Sequence, residues 1–165
     1  MVSYKETLKQ PKTRSLLDLI GKLEAGSKYN IEYGGGEVPL DKMTIQQVLD
    51  HQEAQAKKGA KSTAVGKYQF IRRTLKDIAD RNPKDFPKDA YFTPEMQDKA
   101  AALLLHRRGY GDLQEGKIDE VEFAKNLSKE WASLPNPETG RSYYDGDGLN
   151  KNLTDVSSIL KLLTT

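Results

Sequence analysis

One segment leaves this chain little choice of fold. Thr93-Pro-Glu-Met opens with a residue suited to cap a helix and a proline at the first helical position, and the segment continues through Ala100-Ala-Ala-Leu-Leu-Leu105 to Arg107-Arg108-Gly109. Proline is tolerated at that position because its missing N–H would have no intrahelical partner, and the arginines suit the negative end of the helix dipole. The apolar run Ala100 to Leu105 covers more than one full turn, so this stretch needs cover on every side of the helix. It is expected to be central and buried, with the remaining elements packed around it.

Amphipathic helices account for most of the remainder. One is expected from about Thr13 to Glu24, between Pro11 and Gly26, and another from Thr44, where Thr44-Ile-Gln-Gln47 has the spacing of a capping box, toward Lys58 before Gly59. A further helix starts near Ile71. Asp119-Glu-Val-Glu122 offers a cap, after which Phe123, Leu127 and Trp131 follow at fourfold spacing until Leu134-Pro135, and Asp155 to Leu163 closes the chain. From Tyr29 to Leu40, aromatic and β-branched residues flank three glycines, which reads as a short hairpin or an irregular loop. Ser62 to Phe70 reads as a structured loop or short strand. The expected class is α+β, mainly helical, with at most one small sheet. A length of 165 residues suits one domain, with room for two lobes, and residues 1–12 are expected to be a flexible or extended arm.

Composition removes several function classes. Charged residues make up 30% and apolar runs are short, so no segment is expected to span a bilayer. Met1-Val-Ser-Tyr-Lys-Glu-Thr lacks the apolar stretch of a secretory signal, which predicts a cytoplasmic product that reaches any outside target by other means. Without cysteine there is no disulfide, thiolate metal site or cysteine nucleophile. The formal charge of +2 is low for a dedicated nucleic-acid binder.

Glu24 is the residue most suggestive of chemistry. At 3.6 residues per turn it falls on the same side as Leu17 and Ile20, at the end of an apolar stripe. Apolar surroundings disfavour the ionised carboxylate and raise its pKa toward the range of a general acid. The bland alternative is a solvated Glu at a frayed helix end.

Three segments in order carry a family likeness: Leu23-Glu-Ala-Gly-Ser27, Ser62-Thr-Ala-Val-Gly-Lys-Tyr-Gln69 and Trp131-Ala-Ser-Leu-Pro135, followed by Tyr143-Tyr-Asp-Gly-Asp-Gly148. Together they resemble the lambda-type phage endolysins, soluble lytic transglycosylases of the lysozyme-like superfamily. The resemblance implies a single lysozyme-like catalytic domain over 1–165, two-lobed with a small β-hairpin or sheet, and a saccharide cleft. It also implies cleavage of the β-1,4 bond between N-acetylmuramic acid and N-acetylglucosamine in bacterial peptidoglycan, leaving 1,6-anhydro ends. Glu24 matches the family's catalytic acid. Ser62, Gly66, Tyr68 and Gln69 match its cleft-lining motif, and Tyr143 and Tyr144 are candidates to stack on pyranose rings.

Alternatives stand beside these assignments. Glu32 and Glu37 lie where a lysozyme would keep a second acid, so a hydrolytic muramidase is the competing enzyme, and a non-catalytic glycan-binding module the competing non-enzyme. Tyr68 is read equally well as a core residue, and the spacing of Trp131 favours core packing over sugar stacking. Asp145-Gly-Asp-Gly148 lacks the third ligand and closing Glu of a calcium loop, and His51 and His106 have no carboxylate at a supporting spacing, so no metal or cofactor is expected. The expected partner is the glycan strand, without nucleic acid or membrane insertion, for a monomer. It is expected to reach the periplasmic wall after release by another protein, or to be carried in a virion.

Overall fold

The computed structural model describes residues 3–140 and 156–164. Its helices run α1 Tyr4–Thr7, α2 Pro11–Ala25, α3 Ile45–Lys57, α4 Arg72–Arg81, α5 Pro94–Arg107, α6 Tyr110–Gln114, α7 Glu120–Glu130 and α8 Val156–Thr164, with a 3-10 turn at Leu40–Lys42. The chain divides into two units, Met1–Glu24 with Ala101–Thr165, and Ala25–Ala100.

In the first unit, where a flexible or extended arm over residues 1–12 is expected, Tyr4–Thr7 form α1 and Pro11 opens α2. Ser3 Oγ accepts from the Glu6 N–H (3.2 Å) to cap α1, and the buried Thr7 hydroxyl lies 3.2 Å from His106 Nε2. That contact spans 99 residues of sequence, so no local pattern could announce it. Around it the rings of Tyr4, His106, Tyr110 and Phe123 meet in succession at 5.5–6.5 Å, and Tyr110 Oη is 2.8 Å from Thr13 Oγ1 on α2. Phe123, Leu127 and Trp131 are at most 2% exposed, as their spacing predicts, and α7 packs on α6 and α8. However, α7 ends at Glu130, short of the expected Leu134. Trp131 turns to an extended conformation (φ −123°, ψ 112°), and the Leu134 N–H closes a new turn on its carbonyl at 3.0 Å. Pro135 disfavours helix in the residue before it, so the chain leaves the helical path ahead of the proline. Ser133 therefore sits in a turn and not on a helix.

The second unit centres on α3 and α4, whose apolar faces (Ile45, Val48 and Leu49; Leu75, Ile78 and Ala79) are buried against one another. The expected capping box is complete. Thr44 Oγ1 accepts from the Gln47 N–H (3.1 Å) while Gln47 Oε1 accepts from the Thr44 N–H (2.8 Å). The small sheet is not found among the described residues; isolated bridges take its place, Ile31 with Glu37, Glu32 with Val65, Val65 with Phe70 and Thr44 with Tyr91. Neighbouring residues here pair with different segments, so no two segments share a ladder long enough to be strands. The turn itself is as read, with the Glu32 N–H donating to the Gly36 carbonyl at 2.8 Å and Gly34 and Gly35 in left-handed backbone at φ +93° and +92°.

Helix α5 begins in the second unit and continues into the first. Thr93 Oγ1 accepts from the Met96 N–H (3.2 Å), and Ala100 to Leu105 are each at most 9% exposed. The buried helix expected from sequence is present.

Candidate functional site

Leu16, Leu17 and Ile20 of α2 are at most 1% exposed, and Glu24, one turn beyond Ile20, is half-buried at the end of the same stripe. Removal from water disfavours the carboxylate and pushes its pKa from 4.5 up to about 7. The Ser133 hydroxyl pulls the other way, by favouring the ionised form, and is the smaller influence. Ser133 is itself 2% exposed, and among the described residues its Oγ makes no hydrogen bond of ordinary geometry. Desolvation outweighs it. An acid of this kind is half protonated near neutrality and can both give and take a proton.

The helix ends at Ala25, one residue after Glu24. Gly26 and Ser27 both take left-handed backbone (φ +58° and +68°), and the Lys28 N–H closes the turn on the Ala25 carbonyl at 3.1 Å. For a non-glycine residue such as Ser27 this region is sparsely populated. Among the described residues one other non-glycine residue shares it, Gln69 at φ +53°. Both belong to the segments that carry the family likeness, and strained backbone of this sort concentrates at functional sites.

The Ser62 to Gln69 segment lies in the second unit. Ser62 is half-buried and its Oγ accepts from the Ala64 N–H (3.1 Å), shaping the entry to the segment. Gly66 has φ +83°, and a Cβ there would lie 2.4 Å from Gln97 Oε1, so this position favours glycine for reasons internal to the protein. Tyr68 is 1% exposed, its ring meets Phe70 edge-on at 5.9 Å, and its hydroxyl donates to Asp98 Oδ1 at 2.6 Å. Burial and the neighbouring Asp98 carboxylate raise the Tyr68 pKa, keeping the phenol protonated. Tyr68 is thus a buried core residue, one of the two readings of its position in the sequence. Gln69 is half-buried and its Nε2 donates back to the Gly66 carbonyl (3.0 Å). Tyr143, Tyr144 and the Asp145 to Gly148 turn lie outside the described residues.

Sequence reasoning missed the residues that hold this segment. Gln97 Oε1 accepts from the Lys67 N–H (2.9 Å) and its Nε2 donates to the Tyr29 carbonyl (3.3 Å), while Asp98 Oδ1 accepts from Tyr29 Oη (2.9 Å) as well as Tyr68. Gln97 is fully buried and Asp98 is 8% exposed. Two consecutive polar residues just ahead of the apolar run Ala100 to Leu105 were the available signal, since their burial with that run demands partners. Also missed was His51, whose Nε2 lies 2.7 Å from Glu32 Oε2, with Gln55 Nε2 at 3.2 Å from the same oxygen. The carboxylate that could serve as a second acid is thus engaged by two side chains of α3. Glu37 is exposed.

Residues 14–157 match the family model described as Endolysin. Among solved structures, the lysozyme from bacteriophage lambda superimposes with a TM-score of 0.57 at 18% identity, covering 99% of this chain and 94% of that one. The same values hold for the bacteriophage lambda lysozyme complexed with a chitohexasaccharide. At that identity the likeness is one of fold. No curated protein matches the sequence.

Proposed function

Since the chain belongs to the endolysin family, and so is a lysozyme-like enzyme that degrades peptidoglycan, we propose that it works as a lytic transglycosylase with Glu24 as its one catalytic carboxyl. The observation that carries this reading is a carboxyl at the end of an apolar stripe, with a pKa of about 7. In the proposed reaction the protonated Glu24 donates to the oxygen of the β-1,4 bond as that bond breaks. The C6 hydroxyl of the muramic acid then attacks its own C1, and the Glu24 carboxylate takes the hydroxyl proton. The acid is restored, and a 1,6-anhydro ring forms without water. A tethered nucleophile removes the need for a second carboxylate to activate water. The engagement of Glu32 by His51 and Gln55 supports the single-acid reading.

Ser62, Gly66, Gln69, Tyr143 and Tyr144 are proposed to contact the glycan, with Tyr68, being buried, contributing through the shape it gives the segment. The lambda lysozyme complexed with a chitohexasaccharide supports a β-1,4-linked amino-sugar strand as the ligand class. Among the described residues no helix is long and apolar enough to cross a membrane. Membership of the endolysin family supports access to the wall through a pore formed by another protein, or delivery within a virion.

Mass spectrometry of muropeptides released from purified peptidoglycan tests the reaction. Anhydro-muramic ends, lighter by one water, are the expected result; reducing muramic ends would replace the transglycosylase with a hydrolase. Glu32→Gln and Glu37→Gln should each keep most of the wild-type rate of release, and complete loss at either would transfer the chemistry to a carboxylate pair.

A further inference from the structure

The two strained turns of this protein share one anchor. Ser27 and Gln69 are far apart in sequence, yet Tyr29, two residues beyond the first, and Tyr68, one residue before the second, place their hydroxyls on the same oxygen, Asp98 Oδ1, at 2.9 and 2.6 Å. The adjoining Gln97 repeats the pattern through the backbone, accepting from the Lys67 N–H and donating to the Tyr29 carbonyl. The Lys67 ammonium sits over both tyrosine rings, 4.9 and 5.6 Å from their centroids, and 3.5 Å from Tyr29 Oη. Left-handed backbone at non-glycine residues persists only where the surroundings over-determine it. Each turn is closed by its own backbone bond, Lys28 N–H to Ala25 and Gln69 N–H to Gly66, and one carboxylate on the first turns of α5 is common to the surroundings of both. Hydrogen bonds to an ionised acceptor are shorter and stronger than neutral ones, and a buried carboxylate needs such donors.

We infer that Asp98 is a positioning residue, holding the turn after Glu24 and the Gly66 to Gln69 turn in their left-handed conformations through the Tyr29 and Tyr68 hydroxyls. The inference rests on the reading of Glu24 as the acid and of Gly66 to Gln69 as a glycan-contacting segment. Asp98 itself touches no substrate in this scheme. Its effect reaches the reaction through the geometry of residues on either side of it.

The test compares Asp98→Ala, Asp98→Asn and Tyr29→Phe with wild type, measuring muropeptide release over a range of peptidoglycan concentrations, thermal unfolding, and amide hydrogen exchange. Misplacement of catalytic or binding groups by a fraction of an ångström to an ångström costs one to two orders of magnitude, so Asp98→Ala should lose about tenfold or more in kcat/KM per folded molecule. Exchange should rise together at residues 27–29 and 66–70. Asp98→Asn keeps an oxygen acceptor for both hydroxyls and should recover most of the loss.

A folded Asp98→Ala with wild-type kcat/KM overturns the inference. So does an Asp98→Asn as impaired as Asp98→Ala alongside a Tyr29→Phe at the wild-type rate, because the negative charge beside Lys67 would then matter and the hydroxyl bonds would not. If Asp98→Ala fails to fold, Tyr29→Phe decides: it removes one hydrogen bond at a half-buried residue, and should lower the rate severalfold while lowering the unfolding temperature by only a few degrees. Should wild type release no muropeptides, the proposed function fails instead. Loosening of both turns in the exchange data would then still support the anchor, and loosening of neither would overturn it.

Discussion

Glu24→Gln is expected to abolish clearing of chloroform-treated Gram-negative cells while leaving the fold intact. The amide matches the carboxyl in size but cannot donate the proton, and general acid catalysis contributes on the order of 10²–10⁴-fold. Activity of wild type should also decline as pH rises past the Glu24 pKa of about 7, since the acid must be protonated to act. Stability should respond in the opposite sense to the usual carboxylate. Unfolded, the group titrates near 4.5; folded, near 7. Below the lower value both states hold the proton and the group is neutral to stability. Between the two values the unfolded chain loses its proton more readily, so stability falls as pH rises, and above the folded pKa the full penalty of about 3 kcal/mol is present. Glu24→Gln should therefore match wild type in urea unfolding at about pH 4 and exceed it at about pH 8. Near-wild-type clearing by the variant would remove Glu24 from the mechanism, and equal stability at the higher pH would mean that the carboxyl is solvated.

Gly66→Ala should strongly destabilise the second unit. At φ +83° an alanine is strained whatever the space, at about 1–2 kcal/mol. Its Cβ would also drive into Gln97, whose Oε1 would be 2.4 Å away and Cδ 3.1 Å. Displacing that side chain leaves the Lys67 N–H unpaired in a buried site, at a cost of about 1–3 kcal/mol. Together these amount to about 3 kcal/mol, a fall in unfolding temperature of about 6–12 °C for a protein of this size. Gly59→Ala provides the control. Gly59 has φ +85° with nothing within 4 Å of the added Cβ, so that variant carries the backbone strain alone. Equal unfolding temperatures for the two variants would show that Gln97 yields without cost.

Much of the scaffold is written in local signals. The caps at Thr44, Thr93 and Asp119, the proline at the start of α5 and the fourfold spacing of Phe123, Leu127 and Trp131 each describe a few consecutive residues whose backbone groups must be satisfied nearby. Local signals fail where the competing partner is distant. Tyr29 to Leu40 never becomes a strand because its partners are divided among several segments. Likewise, His51 carries no spacing that points to a carboxylate, since its partner Glu32 lies 19 residues away.

The same division applies to the candidate site. From the sequence alone came the position of Glu24 on an apolar stripe and the order of the three family segments, because helical period and motif spacing are properties of neighbouring residues. Only the tertiary structure decided how far the carboxyl is desolvated, that Ser133 opposes the shift, and that Tyr68 turns inward to Asp98. Desolvation and hydrogen-bond partnership depend on which remote atoms close around a group, and Tyr29 and Tyr68 meet α5 across separations of 69 and 30 residues.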